Sequence, residues 1–201
     1  MLPDVLPDAA IDLGGGVVLA LRDSGTVDEM LRLTERNLDR LREWEGWAHG
    51  DQTRAGMVEY TEWNLAAWRG GTVAPMVIRV GGVPVGSISL RLEEDRRVAE
   101  IGWWIDGEWE GRGLVTRAAE ALVELARRSD RIDVVQARIG LGNVRSRRVA
   151  ERLGMSVERT LPGALQVGAV RHDAALYVLD VATAHQGDSS EEFDMSDISD
   201  V

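Results

Sequence analysis

Three short segments of this 201-residue chain hold residue types that can do chemistry. Gly111-Arg112-Gly113 lies between an alternating apolar stretch and a run of apolar residues at helical spacing. A helix N-terminus carries backbone N–H groups without helical partners and a partial positive charge. Glycines beside it let an anion come close to those amides, so the segment suits a pyrophosphate. Taken alone, it reads more readily as a flexible turn that happens to hold two glycines. It is neither a P-loop, which needs Gly-Lys-Ser/Thr, nor the dinucleotide fingerprint, which needs a third glycine and regular strand–helix alternation. The second segment holds Asn143 and Ser146, one helical turn apart and on one face. Asn is also a good N-cap, which gives the pair a plain structural use. The third is Glu100, beside Ile101, Trp103 and Trp104. Partial burial there would raise its pKa toward a range useful for proton transfer. On an open strand face it would simply be solvated.

The residues that are missing narrow the chemistry. The chain has no Cys and three His, at positions 49, 172 and 185. That leaves no thiol nucleophile, no disulfide framework and no His or Cys cluster at metal-ligand spacing. No metal is expected. A net charge of −11 argues against a nucleic-acid partner, which calls for a basic footprint. It suits a cationic one, such as an amine. No apolar run reaches the ~20 residues of a membrane helix, so a cytoplasmic chain without a membrane partner is expected.

The elements around these segments follow from periodicity. Gly16 to Leu21 reads as a strand, and Thr26 caps a helix that runs to about Trp44. A second helix spans Thr53 to Trp68, with Met57, Tyr60, Leu65 and Trp68 available for one side. Strands over Met76 to Val80, Val85 to Leu92 and Val98 to Ile105 form an antiparallel meander, turned at Gly81-Gly82. Leu114, Ala118, Ala121, Leu122 and Leu125 mark the helix behind the glycines. Then come a strand over Ile132 to Ile139, a helix from Asn143 to Leu153, and a strand pair, Met155 to Arg159 and Arg171 to Val181. A loop over Pro162 to Ala169 joins that pair. The expected class is α/β or α+β, a layered, mostly antiparallel sheet flanked by helices.

Taken together and in order, Glu100-Ile101-Gly102-Trp103-Trp104-Ile105, the Gly111-Arg112-Gly113 turn, Asn143-Val144-Arg145-Ser146 and Arg152-Leu153-Gly154-Met155 resemble the GNAT acetyltransferases. The likeness is to their RimJ/RimL branch, the ribosomal-protein N-terminal acetyltransferase type. Arg171-His172-Asp173 fits a further element of that branch, and the resemblance covers roughly residues 11–183. Glu108 departs from the pattern, which has Gln or Arg at that place.

The resemblance implies the GNAT fold, acetyl-CoA as donor, and direct transfer to a primary amine with a general base. It implies that Ile105, Glu110, Gly111, Arg112, Gly113, Leu114, Val115, Asn143 and Ser146 bind the cofactor. Among the basic residues, Arg112 and Arg117 are nearest the cradle, Arg145 is also available for the phosphates, and Arg147 and Arg148 read as surface charge. Glu100 is the expected base, acting through water. Ser146 hydrogen-bonds the thiolate, with Tyr177 as the other hydroxyl worth testing. The first helical pair forms a wall of the acceptor groove, where Trp44, Trp47 and Trp63, with Trp103, would favour an ammonium by cation–π attraction. The expected acceptor is a protein N-terminus or a small amine. The alternatives are an antibiotic amine such as an aminoglycoside, or a non-catalytic module that binds CoA, another phosphate ligand or a protein. The co-occurrence of Glu100, Asn143 and Ser146 favours catalysis. A homodimer is compatible with such a chain.

Residues 1–186 read as one domain, with residues 1–15 mobile up to Gly14. Residues 187–201 carry six acids and no Lys or Arg, an acidic disordered tail. Deleting 187–201 is expected to leave kcat and the donor KM unchanged. Steady-state kinetics of the truncated chain checks this, and a large loss of activity would place the tail in the site.

Overall fold

The computed structural model describes residues 10–182; the acidic tail lies outside the described residues. The strands are β1 (Ala10–Asp12), β2 (Val17–Leu21), β3 (Val73–Val80), β4 (Val83–Glu93), β5 (Val98–Ile105), β6 (Val134–Gly140), β7 (Ser156–Val167) and β8 (Val170–Asp180). The helices are α1 (Val27–Arg36), α2 (Leu38–Leu41), α3 (Arg54–Arg69), α4 (Leu114–Arg127) and α5 (Val144–Arg152). The strands form one sheet in the order β1-β2-β3-β4-β5-β6-β8-β7. Every pairing is antiparallel except β5 with β6. The layered, mostly antiparallel α/β architecture expected from the pattern is what forms.

The sheet is covered on both faces, and β3 shows why its sequence is apolar without alternation. Successive strand residues point to opposite faces. Met76 and Ile78 join the main core with Leu122, Ala118 and Ala119 of α4. Val77, between them, packs with Val27, Met30 and Leu33 of α1 and Met57 of α3. The hairpin between β3 and β4 is closed by Gly81 and Gly82 at φ 57° and 84°, the two left-handed positions that a tight two-residue turn requires.

One feature of the sheet makes the site. β5 and β6 bond in parallel only from Val98↔Val134 to Glu100↔Gln136. Beyond that point β5 continues to Ile105 bonded to β4 alone, and β6 continues to Gly140 bonded to β8 alone. The two strands splay, and a wedge opens in the middle of the sheet. The helices that follow them, α4 after β5 and α5 after β6, begin at its mouth.

Four expectations are corrected. The helix expected to run to Trp44 ends at Arg36. Asn37 breaks it because its side chain bonds backbone: Nδ2 donates to the Leu33 carbonyl at 2.9 Å and Oδ1 accepts from Gly107 N–H at 3.1 Å. In α3 the buried residues are Met57, Thr61, Asn64 and Trp68; Tyr60 is exposed and Leu65 only half-buried. Polar Thr61 is accommodated because it accepts from buried Arg22. The expected loop over Pro162 to Ala169 is mostly strand, with an irregular register between Leu161 and Leu165. Gly163 N–H donates to Asp173 Oδ1 at 2.8 Å and Arg171 Nη1 donates to the Gly163 carbonyl at 3.1 Å, which holds the bulge. Pro162 is tolerated because β7 is an edge strand. Finally, Ala10–Asp12 is a short edge strand rather than mobile chain, and the hairpin after it is pinned by Arg117, which donates to the carbonyls of Leu13 and Gly14.

Candidate active site

Two cavities of about 670 and 660 Å³ lie on either side of the wedge and share a wall. The shared residues are Trp44, Glu45, Trp103, Trp104, Asn143 and Ser146.

The first cavity to consider contains the glycine turn. Gly113, at φ 71°, is the N-cap of α4, and Gly111 has φ 72°. A Cβ at either position would meet no atom within 4 Å, so both face open space. No backbone partner among the described residues takes the N–H groups of Gly111, Arg112 or Gly113. Those of Leu114 and Val115 open the helix and have none by its geometry. The side chains of Leu114 and Val115 run into the core, and Ile105 lines the same wall. Around this bare amide cluster stand Arg40, Arg112, Arg145, Arg148 and Arg152. Arg112 lies 4.4 Å over the Trp109 ring and donates to the Glu108 carbonyl at 3.0 Å. Arg148 lines the cavity, although its sequence position reads as surface charge; Arg147 does not. Glu110 is present but committed, paired with Arg40 and, at 3.5 Å, with Arg145. Arg117 reaches the cavity rim while holding the β1–β2 hairpin.

At the junction, Asn143 Oδ1 accepts from Ser146 N–H at 3.1 Å, the helix-capping use of this residue. Its carbonyl oxygen is therefore engaged, while its amide donors have no partner among the described residues. The Ser146 hydroxyl makes no hydrogen bond among the described residues and faces both cavities. Trp44 presses against the end of β6: a Cβ on Gly140 would come within 2.9 Å of its ring, and one on Gly142 within 2.8 Å. Both glycines are thus sites of close approach.

The second cavity is lined by Trp47, Tyr60, Met57, Arg22, Arg91 and Glu100, among others. Trp47 sits 6.5 Å from the Trp104 ring. Trp63, expected on this wall, is 49% exposed and stacks under Arg91 instead, 5.1 Å from its guanidinium.

Two carboxylates on this wall differ sharply. Glu100 gives both oxygens to Arg138, accepting from Nε at 2.9 Å and Nη2 at 2.7 Å. The bond to Glu100 holds the Arg138 guanidinium above its ordinary pKa. Both Glu100 oxygens are thus committed to charge-assisted hydrogen bonds in a bidentate fork. Glu45 has no cationic partner among the described residues. One of its oxygens accepts from Trp47 Nε1 at 2.8 Å. Burial pushes its carboxyl up to about 6, opposed by that hydrogen bond. Sequence reasoning missed Glu45 because it falls between two expected helices; the legible signal was an acid flanked by Trp44 and Trp47. Tyr177 is corrected as well. It is 1% exposed, lines neither cavity, accepts from Arg147 Nε at 3.0 Å and donates to Glu151 at 3.3 Å.

A wedge-split sheet with a bare helix N-terminus at its mouth defines a class, and comparison with known proteins supplies its name. Residues 19–156 match the acetyltransferase (GNAT) domain family. The chain is 30% identical over 168 residues to the putative ribosomal N-acetyltransferase YdaF of Bacillus subtilis, covering 81% of this chain and 90% of that protein. It is 25% identical over 152 residues to the ribosomal-protein-serine acetyltransferase of Escherichia coli, covering 75% and 85%. RimL, a ribosomal L7/L12 α-N-protein acetyltransferase solved in complex with coenzyme A, superposes with a TM-score of 0.82 at 20% identity, covering 85% of this chain and 97% of that one. The chain belongs to the GNAT acetyltransferase family.

The occupied hydroxyl of Tyr177 makes a direct prediction. Tyr177→Phe is expected to lose about 1 kcal/mol of stability, the worth of a hydrogen bond, in urea unfolding. Its kcat should stay within about twofold of wild type, since no transition-state contact is removed. A large fall in kcat with normal stability would return Tyr177 to the site.

Proposed function

We propose that this GNAT acetyltransferase moves an acetyl group from acetyl-CoA to a primary amine, with a protein N-terminus as acceptor. The observation that carries the donor half is the unpartnered amide cluster at Gly111, Arg112 and Gly113, ringed by arginines. The residues present fit the group: the amides and Arg112 suit a pyrophosphate, and the unpaired edge of β5 beyond Glu100 suits the amides of a pantetheine arm. When bound, acetyl-CoA supplies an activated acetyl thioester. The acceptor half rests on the second cavity, which meets the first at Trp44, Glu45 and Ser146. The names of the relatives, ribosomal-protein acetyltransferases, support a polypeptide N-terminus.

At the junction Glu45 takes the ammonium proton, and the freed amine attacks the thioester carbon. A C–N bond forms as the C–S bond breaks. The amine nitrogen's second proton passes to the departing thiolate, which the Ser146 hydroxyl hydrogen-bonds. Glu100, the base expected from the resemblance, is occupied by Arg138 and serves the wall of the cavity. The free Asn143 amide donors stand near enough to the junction to hold the pantetheine or a water.

Two measurements test this reading. Acetyl-CoA should raise Tm by mass action, and calorimetry should show Gly113→Val binding it at least about 10-fold more weakly, roughly 1.4 kcal/mol. The added side chain crowds the cradle and strains a left-handed position. Absence of donor binding by the wild type would defeat the reading. For the base, Glu45 works ionised, so kcat/KM should fall as pH drops through about 6. Glu45→Gln should lower kcat by ~10²–10⁴ and remove that limb, while Glu100→Gln keeps it. A limb near 8, the range of an α-amine, unchanged by Glu45→Gln, would show that the neutral amine binds without a base.

A further inference from the structure

Arg22 is the only arginine buried among the described residues, at 5% exposure. It follows directly on β2, and its side chain lines the acceptor cavity. Its partners are all neutral. Nε donates to Thr61 Oγ1 at 3.2 Å, Nη2 faces the Met57 thioether, and the guanidinium lies 4.8 Å from the Tyr60 ring centroid. None of the acids on the cavity wall, Glu45, Asp51 or Glu100, lies within ion-pair distance of it. Burial of the charge lowers its pKa.

A guanidinium has five N–H donors, and this one spends two. No buried side-chain nitrogen in the described residues lacks a partner, so Nη1, which has none, is not sealed in, and Arg22 lines the cavity. A buried cation held only by a hydroxyl, a thioether and a ring is costly unless an anion completes it. Elsewhere this protein does complete its arginines: Arg36 with Asp106, Arg79 with Glu29, Arg138 with Glu100.

Arg91 adds to the same end. It sits directly opposite Glu100 across the β4–β5 pair, yet Glu100 is taken by Arg138. Among the described residues Arg91 is left with the Trp63 ring and no carboxylate, and it too lines the cavity. Arg22, Arg91, Met57 and Tyr60 belong to the acceptor cavity alone, whereas Glu45 belongs to the junction with the donor side. The cavity therefore has a carboxylate where the amine must react and guanidinium donors farther out.

We propose that the acceptor cavity carries an anion subsite built on Arg22, with Arg91 at its rim, and that its substrate is an amine bearing a carboxylate. This rests on the reading of that cavity as the acceptor side of acetyl transfer. The planar fork of Arg22 suits a carboxylate in two-point contact. The carboxylate comes either from an acidic side chain near a peptide N-terminus or from the C-terminal carboxylate of a very short peptide.

The test measures binding rather than turnover, so that it stands apart from the reading beneath it. N-acetylated product peptides are titrated into the full-length protein with CoA present, by calorimetry. One arm compares C-terminally amidated tetrapeptides with Glu or Gln at each of positions two to four. The other compares a dipeptide with a free or amidated C-terminus. The acidic form should bind at least about 10-fold more tightly in one arm, the worth of one charge-assisted hydrogen bond, and that arm names the source. The preference should vanish in Arg22→Met and shrink in Arg91→Gln, whose exposed position leaves folding intact. Equal binding of charged and neutral forms in both arms overturns the subsite. So does a preference that survives in both variants. Turnover of the unacetylated peptides, assayed beside these titrations, reports separately on the acetyl-transfer reading.

Discussion

Parallel pairing of β5 with β6 stops after Glu100 and Gln136, and the rest of the molecule is arranged around that interruption. Both strands run on for several residues, each kept straight by its antiparallel neighbour on the other side. A gap in the middle of a sheet leaves backbone donors and acceptors without a strand opposite, which is costly unless something else bonds them. Here the gap widens into two cavities that meet at its mouth, where Trp104, Asn143 and Ser146 line both. The helix following each splayed strand starts at the opening. One contributes the bare amides before Leu114 and the other places Ser146 at the junction.

The charges follow this geometry. The chain is acidic overall, yet arginines gather round the glycine turn, and two acids near them, Asp106 and Glu110, are spent on ion pairs that hold the turn in place. Arg36 with Asp106 and Arg40 with Glu110 tie the first helical pair to the loop leading into the turn. Asn37 does the same through Gly107 N–H. These contacts fasten the first helices to the glycine turn. In the second cavity the logic reverses: among the described residues Arg22 is buried without an acid, and Glu45 is partly buried without a cation. Groups left in that condition are the ones a ligand can complete.

Much of the fold was legible along the chain. The Gly81-Gly82 hairpin, the apolar stripe of α4 and the Asn143 cap follow from local rules, since turn chemistry, helical spacing and capping involve residues a few positions apart. Errors came where distant partners decide. Asn37 breaks a helix whose apolar spacing continues because Gly107 bonds its side chain. Pro162 and Gly163 look like loop but lie in an edge strand because Asp173 and Arg171 hold the bulge. Tyr60 belongs to the apolar pattern of α3, yet it turns outward because Thr61 is needed under Arg22.

The same division holds at the site. The amino-acid sequence by itself determined the bare amide cluster at Gly111 to Gly113, because a glycine turn before a helix brings its amides together whatever surrounds it. It also determined the family, through motifs whose order and spacing survive without coordinates. Tertiary structure alone decided which carboxylate is free. Glu100 and Arg138 are on neighbouring strands, 38 residues apart in the chain, and only the sheet brings them together as a fork. Glu45 gains its raised pKa from burial between Trp47 and the cavity wall, a property of the folded surroundings rather than of the residue. Arg22 became informative only when Met57, Thr61 and Tyr60 proved to be its neighbours, because a missing counter-charge can be seen only once every nearby group has a position.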